Sequence, residues 1–356
     1  MKSQIEINNQ KIGFDKPTYF IADIAANHDN DIERAKDLIY LCAESGADAA
    51  KFQHFSADTI VSDYGFKSLG SQQSHQSKWK KSVYEVYKEA SININWTQEL
   101  KETCDKAGIT FFTSPYSFDL VDEVDPYVPA YKIGSGDITW LEIIKYIALK
   151  GKPILLATGA SNEQDVRLAV DTALLATRDI VLMQCNTNYT ASIENFKFIN
   201  LNVLKTYKRI YPDILLGLSD HTKGHSTVLG AVALGARVIE KHFTNDTTKK
   251  GPDHAFSMDP KSWKEMVICT RELEHALGSG IKKVEDNEKE TSVLQRRAIR
   301  LRKNLSKGDI INRSMVEFLR PCPDGALPPH FINKIIGKTI NSTVKKGECL
   351  YWTDLK

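Results

Sequence analysis

The stretch ILLGLSDHTKGHSTVLGAVALGARVIEKHF (residues 214–243) decides the fold. Two apolar runs of strand length, 214–220 and 237–243, are separated by a segment long enough for a helix, and both end in polar residues. Working outward, the same unit recurs. Strand-like runs occur at 19–25 (YFIADIA), 47–55 (ADAAKFQHF), 109–114 (ITFFTS), 130–136 (AYKIGSG), 153–159 (PILLATG) and 179–185 (DIVLMQC). Helical patterns such as DIERAKDLIYLCAES and NEQDVRLAVDTALLA lie between them, with Asp31 suited to cap the first helix at its start and Gly46 at its end. Eight strands alternating with helices over about 250 residues predict a (β/α)8 barrel. A doubly wound open sheet is the alternative, but no G-x-G-x-x-G follows the first strand.

In such a barrel, chemistry collects at the C-terminal strand ends. Polar residues gather there: Asp23 and Asn27, Lys51 and Gln53, Ser114, Lys132 and Ser135, Thr158, Ser219 and His221, Glu240 and His242. Residues i and i+2 of a strand share a face. Lys51 with Gln53, Ser219 with His221 and Glu240 with His242 are therefore predicted to point into the lumen. Phe52, Leu218 and Ile239 would pack against the helices, and His54, Asp220 and Lys241 would also point outward. Inward polar groups at this density call for partners or a ligand.

His221 and His242 end consecutive strands, where two neutral imidazoles could hold a divalent metal; two separate hydrogen-bonded core histidines are the plainer alternative. Buried Lys51 and Lys132 require an anion. With Ser114, Ser135 and Ser219 they would bind a phosphate or carboxylate; a Schiff-base lysine, or simple pairing with Asp23 or Glu240, are the other readings. Asp23, Asp137 and Asp253 suit sugar hydroxyls or acid/base work. Asp253 and His254 sit in a loop-like run and could equally be surface residues. Tyr189 would stack on a substrate or pack the rim. The run 71–82 reads as a lid or specificity element, or as a solvated helix.

Composition is that of an ordinary globular protein, 26% charged and 42% hydrophobic, with a net charge of +2. No apolar run reaches the ~20 residues of a membrane span, and the N-terminus has no signal-peptide pattern, so membrane association is not expected. Six scattered cysteines read as reduced thiols of a cytoplasmic protein. From Arg296 onward 13 basic residues face 5 acidic ones, which leaves the first 295 residues at −6 and the tail at +8. We therefore expect a barrel over 1–282, a linker over 283–295 and a basic domain over 296–356. That domain has neither a run of like charges nor interleaved aromatics, so docking between domains is favoured over nucleic-acid binding.

The runs IADIAANH, GADAAKFQ, TFFTSPYSF, YKIGSGD, KPILLATG, GLSDHT, ALGARVIEKHFT and GPDHAFSM, in that order, resemble the sialic acid (N-acetylneuraminate) synthase family. RRAIRLRKNLSKGDII, LRPCPDGALPP and VKKGECL resemble its C-terminal antifreeze-like, or SAF, domain. The resemblance implies a metal-dependent transferase using Mn2+ or Mg2+. It would condense phosphoenolpyruvate with an N-acetylated hexosamine to a nine-carbon 2-keto-3-deoxy acid and phosphate, with C–O cleavage. It further implies a small, mostly-β SAF fold after the barrel and a domain-swapped homodimer. His221 and His242 match metal ligands. Lys51, Ser114, Lys132, Ser135, Thr187 and Ser219 match phosphoenolpyruvate-binding positions. Gln53, Asp137, Tyr189 and Asp253 match sugar contacts, and Arg320 matches an arginine donated across the dimer. Asp23, Lys51, Lys132 and Asp137 are the implied catalytic residues.

Several positions depart from that family. Asp23 replaces a usual Glu, Thr187 an Asn or Ser, and Ala157 a Ser; residues 61–92 and the LRPCPDGALPP turn are also unusual. These changes lie on the acceptor side, so the expected acceptor is N-acetylmannosamine or a 2,4-diacetamido-trideoxyhexose. The rivals are a synthase acting on a phosphorylated aldose and a non-enzymatic sugar- or anion-binding barrel.

Overall fold

A computed structural model describes residues 4–69, 76 and 79–356. The run 71–82 therefore falls mostly outside the described residues. The chain divides into two compact units, Met1–Gly278 and Ser279–Lys356.

The first unit opens with an antiparallel hairpin, β1 (Gln4–Ile7) and β2 (Gln10–Gly13). Eight parallel strands follow: β3 (Tyr19–Asp23), β4 (Ala49–His54), β5 (Thr110–Pro115) and β6 (Tyr131–Ile133), then β7 (Ile154–Ala157), β8 (Ile180–Cys185), β9 (Leu215–Asp220) and β10 (Ala236–His242). Their order is β5-β4-β3-β10-β9-β8-β7-β6, so the first barrel strand lies beside the last and the ladder is open only between β5 and β6. All eight expected strands are present, and the fold is the expected barrel.

Helices pack outside. The first, Ile32–Glu44, is capped by the Asp31 carboxylate, which accepts from Glu33 N and Arg34 N. It closes at Ser45 rather than Gly46. Gly46 stands one residue further on at φ 88°, the left-handed position that a glycine takes without strain.

Alternation along the strands separates two cores. Outward residues, Phe52, Leu218 and Ile239 among them, join the helices in the larger one. The smaller fills the lower lumen with Tyr19, Ile21, Ala49, Phe112, Val181 and Met183, and Ile5, Ile7 and Ile12 of the hairpin belong to it. Among the described residues the hairpin therefore covers the N-terminal end of the barrel, and the cavity lies at the C-terminal end. Gly217 of β9 faces this core; a Cβ there would come within 2.8 Å of Val238 O and 2.9 Å of Met183.

In the second unit β11 (Ala298–Leu301) pairs antiparallel with β12 (Val316–Leu319) over a core that includes Ile299, Leu305, Leu327 and Leu350. Short antiparallel bridges such as Leu305 with Val344 complete a mostly-β unit. Residues 283–295, expected as a linker, carry a helical turn, Asp286–Glu288, and a short helix, Lys289–Gln295.

Candidate active site

Strand register brings the site together before any side-chain detail enters. Lys51 is level with Asp23, Asp23 with His242, Ser219 with Glu240, Cys185 with Ser219, and Gln53 with Ser114. All of these side chains line one cavity of about 360 Å³ in the barrel mouth, together with Lys132, Ser135, Asp137, Tyr189, His221 and Asp253. The predicted inward faces of β4, β9 and β10 are the observed ones.

Two lysine–carboxylate pairs form the cavity floor. Lys51 Nζ donates to Asp23 Oδ2 at 2.6 Å, and Gln53 Nε2 donates to the same oxygen at 3.0 Å. Lys132 Nζ lies 3.0 Å from Glu240 Oε1, which also accepts from Ser219 Oγ at 3.1 Å. Glu240 Oε2 is 3.9 Å from Lys51 Nζ, so Glu240 spans both lysines. The pairing with Asp23 and Glu240 raised from the sequence is thus present, and it lies in a cavity wall. Burial pushes the Asp23 carboxyl up, and Lys51 offsets this only in part. Burial acts on Glu240 too, but Lys132 and Lys51 outweigh it and hold that carboxyl well below its ordinary value.

The histidines stand 5.4 Å apart, ring centre to ring centre, with Tyr189 4.5 Å from His221 and Phe256 4.8 Å from His242. Burial drives both imidazoles down to about 3, so they are neutral at pH 7. His221 Nδ1 lies 3.0 Å from the Asn186 carbonyl, which can only accept; the proton is therefore on Nδ1 and the Nε2 lone pair is free for a cation. His242 Nδ1 has no hydrogen-bond partner, and neither have Ser114 Oγ and Glu240 Oε2. Among the described residues no three His, Cys, Asp or Glu side chains converge as a ligand set. Two neutral imidazoles with an orphaned nitrogen fit a metal whose remaining positions are filled by substrate or water.

Asp253 is placed by the loop after β3. That loop turns through Ala25, Asp29 and Asn30 at φ 46°, 52° and 57°, and Ala26 N donates to Asp253 Oδ2 at 3.2 Å. Asp29 also takes His254 Nε2 at 3.0 Å and Arg34 Nε at 3.0 Å. Asp253 lines the cavity and His254 is fully buried beside it, so neither is a surface residue. Burial raises Asp253 to about 7 and Asp137 to about 6.

Two expectations need correction, those for Asn27 and Thr158. Asn27 does not line the cavity; its amide donates to Phe243 O and Ser257 Oγ, both at 2.9 Å. Thr158 is likewise turned aside, bonded to Met183 O and to the Tyr207 hydroxyl. Thr187 is not in the cavity lining and instead packs near Ser135 at Gly159, where a Cβ would meet it at 2.6 Å. Arg320 is exposed on the second unit. Other lining residues carry little signal in the sequence. Glu240, in sequence a strand-end polar group or a lysine's partner, spans both lysines in the cavity. Phe55, Ile60, Trp79, Val86, Tyr87 and Ala90, from the β4–β5 connection, also line the cavity; Trp79 falls in the run 71–82 and Val86, Tyr87 and Ala90 in the unusual stretch 61–92, while Phe55 and Ile60 carry no such signal.

Comparison with known proteins gives two domain matches: the NeuB family model over residues 38–282 and the SAF domain over residues 296–356. An N,N'-diacetyllegionaminic acid synthase of Legionella pneumophila is 35% identical over 98% of this chain and 99% of its own. A pseudaminic acid synthase of Campylobacter jejuni is 30% identical, covering 96% and 98%. The solved N-acetylneuraminic acid synthetase of Leptospira borgpetersenii superposes with a TM-score of 0.71 at 28% identity, over 81% of this chain and 95% of that one.

Proposed function

Because this chain belongs to the NeuB family and shares the fold of nonulosonic acid synthases, we propose that it condenses phosphoenolpyruvate with an N-acetylated hexosamine. The acceptor is N-acetylmannosamine or a 2,4-diacetamido-trideoxyhexose, and the products are a nine-carbon 2-keto-3-deoxy acid and phosphate. One observation supports this above the rest: two buried lysines and three serine hydroxyls share a cavity wall with two neutral histidines.

Lys51, Lys132, Ser114, Ser135 and Ser219 would grip the phosphate and carboxylate, exchanging their carboxylate partners for substrate oxygens. Thr187, beside Ser135, belongs to this group at its edge. Gln53, Asp137, Tyr189 and Asp253 would orient the hydroxyls and acetamido group of the acceptor, so that its aldehyde carbon meets the phosphoenolpyruvate methylene. His221 and His242 would hold Mn2+ or Mg2+, whose chemistry when bound is to polarise a carbonyl oxygen as a Lewis acid. Carbon–carbon bond formation leaves positive charge on the enol-ether carbon. Asp23, hydrogen-bonded to Lys51 and Gln53, is placed to stabilise that charge and to take a proton from the water that adds there. Phosphate then departs with the bridging oxygen as the added hydroxyl becomes the keto group; of the two protons brought by the water, one goes to the former aldehyde oxygen and one to the phosphate.

The reading extends to the assembly: a domain-swapped homodimer in which the SAF unit brings Arg320 to the partner's barrel. Inactive Lys132→Ala and Arg320→Ala chains, co-expressed, should then recover about a quarter of wild-type activity in a statistical mixture; no recovery would overturn the swap. The reaction itself is tested with Mn2+, phosphoenolpyruvate and a panel of N-acetylated hexoses. Phosphate release with a new nine-carbon acid is expected, and label in the bridging oxygen should appear in the phosphate. Release with no hexose, or label kept in the acid, would refute the proposal.

A further inference from the structure

The cavity has two chemically different walls. One carries Lys51, Lys132, Glu240, Asp23 and the histidines. The other comes from the β4–β5 connection, whose described lining residues are Phe55, Ile60, Trp79, Val86, Tyr87 and Ala90. None of these six is charged, and only the Trp79 indole N–H and the Tyr87 hydroxyl are polar. The wall is held together by its own rings: Phe55 lies 5.4 Å from Tyr87 and 6.1 Å from Tyr116, and Trp79 lies 6.4 Å from Tyr87. Val86, Tyr87 and Ala90 project from one helix, Val83–Ala90, fixed by a capping box between Ser82 and Glu85. Pro252 lines the cavity beside Asp253 and adds to the apolar surface.

N-acetylmannosamine would have to strip water from its C4 and C6 hydroxyls against this wall, whose described residues offer few donors or acceptors in return. A sugar that presents its C6 methyl and the methyl of a second acetamido group buries apolar area there, provided the amide N–H and C=O turn to the polar lining of Gln53, Asp137 and Asp253. Resting on the condensation proposed above, we infer that the β4–β5 wall selects a 6-deoxy acceptor with two acetamido groups over N-acetylmannosamine, and that Val86 and Ala90 are specificity-determining residues.

The discrimination is bounded, because an apolar pocket rejects an added hydroxyl by only about 10²-fold. The experiment measures kcat/KM for phosphate release with 2,4-diacetamido-2,4,6-trideoxyhexoses and with N-acetylmannosamine. It uses the full-length protein, Val86→Asn and the milder Ala90→Ser. The expected result is a preference of tenfold or more for the trideoxy acceptor, reduced at least fivefold in Val86→Asn and to a smaller extent in Ala90→Ser, with KM for phosphoenolpyruvate unchanged. Equal or better turnover of N-acetylmannosamine by the wild-type chain overturns this inference and leaves the condensation standing. An unaltered preference in both folded variants removes Val86 and Ala90 from the account. Phosphate release with neither sugar overturns the condensation and the inference together.

Discussion

Strands β9 and β10 carry buried charge on both faces, and the two faces behave differently. Outside the lumen, Lys241 Nζ meets Asp220 Oδ2 at 2.5 Å and Thr222 O at 2.6 Å. Asp220 also accepts from Thr222 N, the Thr222 hydroxyl and the Thr227 hydroxyl, the last at 2.6 Å. Burial would raise this carboxyl, but Lys241 and these donors lower it. One residue away on the inner face, Glu240 and Lys132 are paired at 3.0 Å, while Glu240 Oε2, His242 Nδ1 and Ser114 Oγ have no hydrogen-bond partner. Adjacent residues thus form a closed network on one side and an unfinished one on the other. Buried charge that is fully bonded holds structure; buried charge with spare valence facing a cavity is prepared for a ligand.

The largest test of that contrast is Lys132→Ala. Loss of a lysine that grips the substrate anion should lower kcat/KM by roughly 10³-fold or more, with far less effect on unfolding in urea, because solvent can reach Glu240 through the cavity. Lys241→Met should do the reverse. It leaves Asp220 charged and sealed away from water, at a cost of about 3–5 kcal/mol of stability, while activity per folded molecule stays within threefold. If Lys241→Met cost activity rather than stability, the contrast would fail.

Asp137 sharpens it through pH. Burial raises its carboxyl to about 6, above the unfolded value of about 3.9, so the folded state binds the extra proton and stability falls as pH rises from about 4 to 6. Asp137→Asn should therefore gain about 1–3 kcal/mol at pH 7.5 and little at pH 4. Asp220, whose carboxyl is lowered, has the opposite sign: its contribution is present above the unfolded value and lost as pH falls through the folded one. The smallest effect is expected for Thr227→Val, about 1–2 kcal/mol from one hydrogen bond to a charged acceptor, with kcat unchanged.

Much of this contrast was legible in the sequence because a strand alternates strictly. Once 214–220 and 237–243 are strands, the inward direction of Ser219, His221, Glu240 and His242 and the outward direction of Asp220 and Lys241 follow by parity. Beyond the strand ends parity holds for His221, one residue past β9, and fails for Asn27 and Thr158. Asn27 and Thr158 lie past β3 and β7, where loop geometry turns their side chains to Phe243 O and Met183 O. The aromatic wall was legible as a stretch, through the unusual run 61–92 and the lid or specificity run 71–82, but not residue by residue. Tyr87 and Val86 sit on a short amphipathic helix whose sequence does not say what it faces, and only the barrel's closure places that helix over the mouth. The β1–β2 hairpin, too short for a periodic signal, went unread, although it closes the lower lumen.

That closed floor also dictates traffic. With Ile5, Ile7 and Ile12 covering one end among the described residues, molecules arrive and depart at the other. A compound lodged on Lys51 and Lys132 sits behind anything resting on Tyr87, so the deeper guest must enter first and leave last. Steady-state kinetics should accordingly show a compulsory order, with a dead-end analogue of the outer substrate trapping the inner one in its seat.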